Sequence, residues 1–111
     1  MVYDERMETR VIEVDPLEDC RSIYKEAAAV LAEGGLVAIP TETVYGLGAD
    51  AFNPDAVAKV FEVKGRPSFD PLICHLPNGK ALKDITEVPA ELQPLVDKLV
   101  KEFWPGPMTL V

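Results

Sequence analysis

The sequence has little from which to build a metal cluster or a disulfide frame. It holds one histidine and two widely separated cysteines, Cys20 and Cys74, with no C-x-x-C pair, so neither a zinc site nor a stapled secreted scaffold is indicated. That usage suits a reducing compartment. Long apolar runs are missing as well. Stretches such as "GGLVAIPT" fall far short of a membrane span, and the opening "MVYDERMETR" is charged where a secretory leader would be apolar. The expectation is a cytoplasmic protein with no membrane segment. Basic residues are scarce too: 11 Lys and Arg stand against 19 Asp and Glu, a formal net charge of −8. Such a balance argues against broad adhesion to nucleic acid or anionic lipid, so any anion site has to be local.

What remains is the composition of a folded protein. The 111 residues are 48% apolar, with charges spread along the chain and no repeat, linker or low-complexity segment. One domain over residues 1–111 is expected, burying about two-thirds of the surface its unfolded chain exposes.

The hydrophobic periods alternate along the chain. "VIEV" (11–14) reads as a short strand broken by Asp15-Pro16, ahead of a helix with Ile23, Ala27, Val30 and Leu31 on one stripe, ended by Gly34-Gly35. "LVAIP" (36–40) is a continuous apolar run between glycine and proline and predicts a central strand covered on both faces. The glycine-containing stretch 41–50 reads as a loop leaving that strand, with at most a short extended piece. Asn53-Pro54 is an N-cap followed by proline at the first helical position, with Val57, Val60 and Phe61 on the buried stripe and Gly65 and Pro67 closing the helix. "PLICHL" (71–76) reads as a strand. A last helix carries Leu92, Val96, Leu99 and Phe103, with Pro94 in its first turn and Pro105-Gly106 after it; "MTLV" (108–111) then reads as a strand. Strands alternating with helices predict a mixed α/β fold, in which ligands favour the loops at strand ends.

Two groups of residues carry chemistry. Lys64 and Arg66 stand one glycine apart at a helix end. A helix C-terminus favours cations through its dipole, which explains them with no ligand. Equally, lysine gives a compact charge and arginine a planar fork to phosphate oxygens, with Gly65 admitting close backbone approach. The spacing alone leaves both readings open. In "TETVYGLGAD" (41–50), Thr41 and Thr43 either bond the backbone of a turn or orient a small polar substrate, and Tyr45 either packs on the core or borders that substrate. His75, on a strand face with Ile73, is either a satisfied structural residue or the lining of a cavity.

Taken together, "PTETVYGLG", "KGRP", "PLICH" and "FWPGPMTL", in that order, strongly resemble the threonylcarbamoyl-AMP synthase family, the YrdC-like proteins of transfer-RNA modification. The likeness covers about residues 20–111. It implies a twisted mixed β-sheet flanked by helices around a positively charged cavity, and a nucleotidyltransferase joining L-threonine, bicarbonate or carbon dioxide, and ATP into threonylcarbamoyl-AMP with release of pyrophosphate. By resemblance Lys64 and Arg66 are catalytic and hold the ATP phosphates, with Asp70 near the nucleotide. Thr43 and His75 meet the threonine substrate, with Thr41 and Tyr45 close by. Mg²⁺ is expected to be held mainly by phosphate oxygens, with no protein metal site. Downstream transfer-RNA modification proteins are the implied partners, with a contact to transfer RNA or double-stranded RNA.

The family usually carries asparagine where this chain has Asp70, and a second-half phosphate motif of the family has no counterpart here. Residues 1–111 are therefore expected to be the front part of a YrdC-like catalytic domain, inactive or poorly active alone and prone to self-association. Two other readings use the same residues: a double-stranded RNA-binding module, opposed by the net charge, and the related domain of hydrogenase-maturation carbamoyltransferases, whose upstream zinc-finger and acylphosphatase segments are not seen here.

Overall fold

The computed structural model describes residues 8–111, so most of the charged opening stretch lies outside the described residues. Two compact units follow one another, Met1–Asp70 and Pro71–Val111.

The first unit contains α1 (Arg21–Ala32), β1 (Val37–Ile39), β2 (Gly46–Gly48) and α2 (Pro54–Lys64). On α1, Ile23, Ala27 and Leu31 are half-buried at a spacing of four, the stripe expected from the sequence, whereas Val30 is exposed. The helix ends where Gly34 takes the left-handed conformation at φ 78°. There the Gly34 amide donates to Leu31 O at 3.0 Å and the Gly35 amide reaches back to Val30 O at 2.8 Å. This is a Schellman closure, which satisfies carbonyls that the helix leaves unpaired. A side chain on Gly35 would collide with Val30, so the second glycine is sterically required.

The α2 helix follows its sequence signals closely. The Asn53 side chain accepts from the amides of Asp55 and Ala56, both at 3.1 Å, an N-cap worth about 1 kcal/mol. Ala56 and Val60 point inward and are buried, and with Cys20 they form the core among the described residues. Full burial of a valine contributes about 1.5–3 kcal/mol. Gly65, at φ 61°, closes the helix as Gly34 closes α1: its amide donates to Glu62 O at 3.1 Å and the Arg66 amide to Phe61 O at 3.0 Å.

Here the sheet departs from expectation. β1 and β2 form a two-stranded antiparallel ladder with Val37 opposite Gly48 and Ile39 opposite Gly46. Ala38 and Ile39 are exposed, so 36–40 is not a central strand covered on both faces. Its partner is the glycine-rich Gly46–Gly48, the extended piece within the stretch read as a loop. Residues 11–14, 71–76 and 108–111 carry no strand. An apolar run becomes a strand only when a neighbouring backbone takes up its amides and carbonyls, and these three runs are unpaired.

The second unit contains a 3₁₀ helix (Gly79–Asp84) and α3 (Gln93–Phe103). Asn78 caps the former, accepting from the Lys80 and Ala81 amides at 3.0 and 3.3 Å. Gly79 approaches α3 so closely that a side chain there would overlap Val100. Pro94 lies in the first turn of α3, as its missing amide requires. Beyond α3, Trp104 Nε1 donates to Met108 O at 2.8 Å and folds the tail back. Among the described residues no helix is long and apolar enough to cross a membrane.

Candidate functional site

The β1–β2 connection presents Thr41, Glu42, Thr43, Val44 and Tyr45, all exposed. Thr41 organises it. Its Oγ1 accepts from the Thr43 amide at 3.3 Å and the Val44 amide at 3.2 Å, and donates to Val44 O. A β-branched hydroxyl residue just after Pro40 suits this local turn, because it substitutes for backbone partners the hairpin does not provide. The Thr43 hydroxyl lies 3.4 Å from Thr41 Oγ1. The Thr41 proton is committed to Val44 O and both of its lone pairs to the two amides, so the loop leaves the Thr43 hydroxyl open to a ligand. Tyr45 is 79% exposed and carries its ring away from the core.

At the other end of the unit, Lys64 is the last residue of α2 and Arg66 follows the left-handed Gly65. Both side chains are exposed. Arg66 is fixed by its backbone: it is the residue whose amide completes the helix closure on Phe61 O. The ion pairs among the described residues are Arg10 with Glu26 and Arg21 with Asp19, and neither Lys64 nor Arg66 is paired with a carboxylate. Two cations on a helix end that their own dipole supports, with no carboxylate partner among the described residues, are available to an anion. Asp70 is half-buried in the turn after them, its amide donating to Pro67 O at 3.1 Å.

His75 belongs to the second unit, exposed in the extended stretch beside Cys74. That unit carries two adjoining shallow grooves, one of about 540 Å³ lined by Asn78, Gly79, Lys80, Asp97, Val100 and Lys101 and one of about 480 Å³ beside Leu82, Lys83 and Thr86, and none of the expected site residues lines either. The structure thus gathers Thr41, Thr43 and Tyr45 on one loop, and Lys64, Arg66 and Asp70 on one short segment. Among the described residues no hydrogen bond joins these two groups. No cluster of three or more His, Cys, Asp or Glu able to hold a metal ion occurs among the described residues.

The family model described as telomere recombination, covering Sua5, YciO and YrdC proteins, matches residues 29–111. Threonylcarbamoyl-AMP synthase of Bacillus subtilis (strain 168) is 52% identical over 86 residues, which is 78% of this chain and 24% of that protein. The protein of the same name from Pyrococcus abyssi is 51% identical over 86 residues, with 77% and 24% covered. The crystal structure of P. abyssi Sua5 complexed with L-threonine superposes with a TM-score of 0.63 at 49% identity, over 75% of this chain and 24% of that one. The chain therefore spans about a quarter of the length of these relatives.

Proposed function

Because the chain belongs to the Sua5, YciO and YrdC family, we propose that it supplies the nucleotide-holding and threonine-holding segments of a threonylcarbamoyl-AMP synthase. The observation that carries this reading is the Lys64-Gly65-Arg66 helix end: two exposed cations without a carboxylate partner among the described residues, set by a backbone closure, in a chain of net charge −8. Its support is the pair of relatives of that name at 52% and 51% identity, each over 86 residues.

The chemistry demands what these residues offer. The amine of L-threonine adds to carbon dioxide and loses a proton, giving a carbamate. A carbamate oxygen then forms a bond to the α-phosphorus of ATP while the bond to the bridging oxygen of the β-phosphate breaks, and pyrophosphate leaves with that electron pair. Both reactants are anions, so positioning and charge neutralisation dominate and no protein nucleophile is needed. Lys64 and Arg66 hold the phosphate chain and offset its charge as it shifts to the leaving group. Thr43 and His75 contact the substrate threonine, Thr43 through the hydroxyl that the loop leaves uncommitted. Tyr45 borders the substrate, and Asp70 faces the nucleotide. A Mg²⁺ ion would be taken up largely through phosphate oxygens, since the described residues present no carboxylate cluster for it. The product is a mixed anhydride, suited to transfer onto transfer RNA by a downstream cytoplasmic protein.

The test is pyrophosphate release by the full-length protein. It should require ATP, L-threonine and bicarbonate together, and a product of the mass of threonylcarbamoyl-AMP should accumulate. Release that is indifferent to threonine would refute the reading.

A further inference from the structure

Lys59 lies mid-way along α2, on a side that the amphipathic pattern leaves exposed. Its ammonium nevertheless spans to another element, donating to Gly34 O at 3.0 Å in a partly buried contact. Gly34 is the buried, left-handed residue that ends α1, three positions before β1. The same glycine is crowded by the α2 N-cap, since a side chain on it would sit 3.0 Å from Asn53 Nδ2. Two points of α2, its cap and Lys59, are thereby seated on one turn.

We propose that Lys59 is a positioning residue, which locks α2 onto the Gly34-Gly35 turn and so fixes where the Lys64-Arg66 end stands relative to the hairpin bearing Thr41 and Thr43. The inference rests on the reading of Lys64 and Arg66 as phosphate-holding residues. α2 rises about 1.5 Å per residue, so Lys64, its last residue, stands about 7.5 Å along the axis from this anchor, and Arg66 follows directly after Gly65. The Lys59 bond is charge-assisted and satisfies a carbonyl at a helix C-terminus, where a cation is favoured. Without it, α2 keeps its cap but loses its second anchor, so the end far from Asn53 both shifts and frays most, and the closure made by the Gly65 and Arg66 amides on Glu62 O and Phe61 O opens more often. β1 and β2 keep their ladder, so the threonine loop is not moved.

The experiment compares Lys59→Met and Lys59→Arg with the parent in the full-length protein, by steady-state pyrophosphate release and by amide hydrogen exchange at Gly65 and Arg66. In Lys59→Met the KM for ATP should rise about three- to tenfold while the KM for threonine stays within about twofold, and exchange at both amides should quicken. Lys59→Arg should restore most of the ATP affinity. In a Lys64→Ala, Arg66→Ala background, Lys59→Met should change ATP use by less than about twofold, because the groups it positions are gone. A fall in kcat with both KM values unchanged would mark general loss of folded protein and overturn the proposal, as would unchanged exchange at Gly65 and Arg66. A parent that releases no pyrophosphate would overturn the reading of the site itself, before any variant is compared.

Discussion

The threonine loop and the lysine-arginine helix end are both exposed, yet they are held in opposite ways. Side chains shape the loop: Thr41 Oγ1 alone meets the Thr43 amide, the Val44 amide and the Val44 carbonyl. Backbone shapes the helix end, through the Gly65 and Arg66 amides and a left-handed glycine, and among the described residues no hydrogen bond of the Lys64 or Arg66 side chain takes part in it. A loop built from a side chain couples identity to conformation. A helix end built from backbone leaves its side chains free to serve a ligand, and their removal separable from folding.

The strongest way to sharpen this contrast is to strip the helix end. Lys64→Ala with Arg66→Ala should weaken ATP use by about a hundredfold or more, each charge-assisted contact being worth about 1.5–3 kcal/mol, while thermal stability hardly moves. Steady-state kinetics and calorimetric melting measure the two halves of that statement. On the loop, Thr41→Val should lower threonine affinity about tenfold by undoing the turn, and Thr41→Ser should keep it within a few-fold; isothermal titration with threonine distinguishes them. Gly65→Ala attacks the backbone directly, placing a side chain at φ 61° and costing about 1 kcal/mol in denaturant unfolding. Asp70→Asn removes a carboxylate close in sequence to Lys64 and Arg66, and should tighten ATP binding about two- to fivefold, more at low than at high salt.

The smallest effect belongs to the exposed pair at the start of α1. The Arg21 guanidinium donates to Asp19 through Nε at 2.9 Å and holds its carboxyl below the ordinary value of 3.8. Because the folded value is lowered, this contribution is present above pH 3.8 and is lost as pH falls through the lowered value. Arg21→Ala should therefore lower stability slightly above pH 4, near neutrality included, and leave it unchanged at the acid extreme, so that the acid limb of the stability curve flattens, as acid-induced unfolding followed by circular dichroism can show.

How legible these two regions were in the sequence follows from the same physics. Local chemistry could be read: Asn53-Pro54 announced the start of α2, Gly65 and Pro67 its end, Gly34-Gly35 the end of α1 and Pro94 the first turn of α3. Each of these signals acts within a few residues of itself. Strands could not be read so well, because pairing is a property of two segments. Residues 11–14, 71–76 and 108–111 are apolar but unpaired, while Gly46–Gly48, with no side-chain preference for a sheet, pairs with β1. The sequence does not announce the 3₁₀ helix although Asn78-Gly79 stands at its start, since the turn chemistry of Asn-Gly does not distinguish a loop from a short capped helix. Among the site residues, the motifs name the residue types, and Thr41 shows what they omit: its hydroxyl is spent on its own loop. Lys59 had no sequence signal at all, because its partner is a backbone carbonyl 25 residues away.

The most direct test is pyrophosphate release by the full-length parent and by the Lys64→Ala, Arg66→Ala double variant, across ATP concentrations at saturating L-threonine and bicarbonate. The account predicts threonine-dependent release in the parent, and in the variant a KM for ATP raised about a hundredfold with the melting temperature unchanged. Identical ATP dependence in the two proteins would contradict it, and would return Lys64 and Arg66 to the role of solvated charges on a helix end.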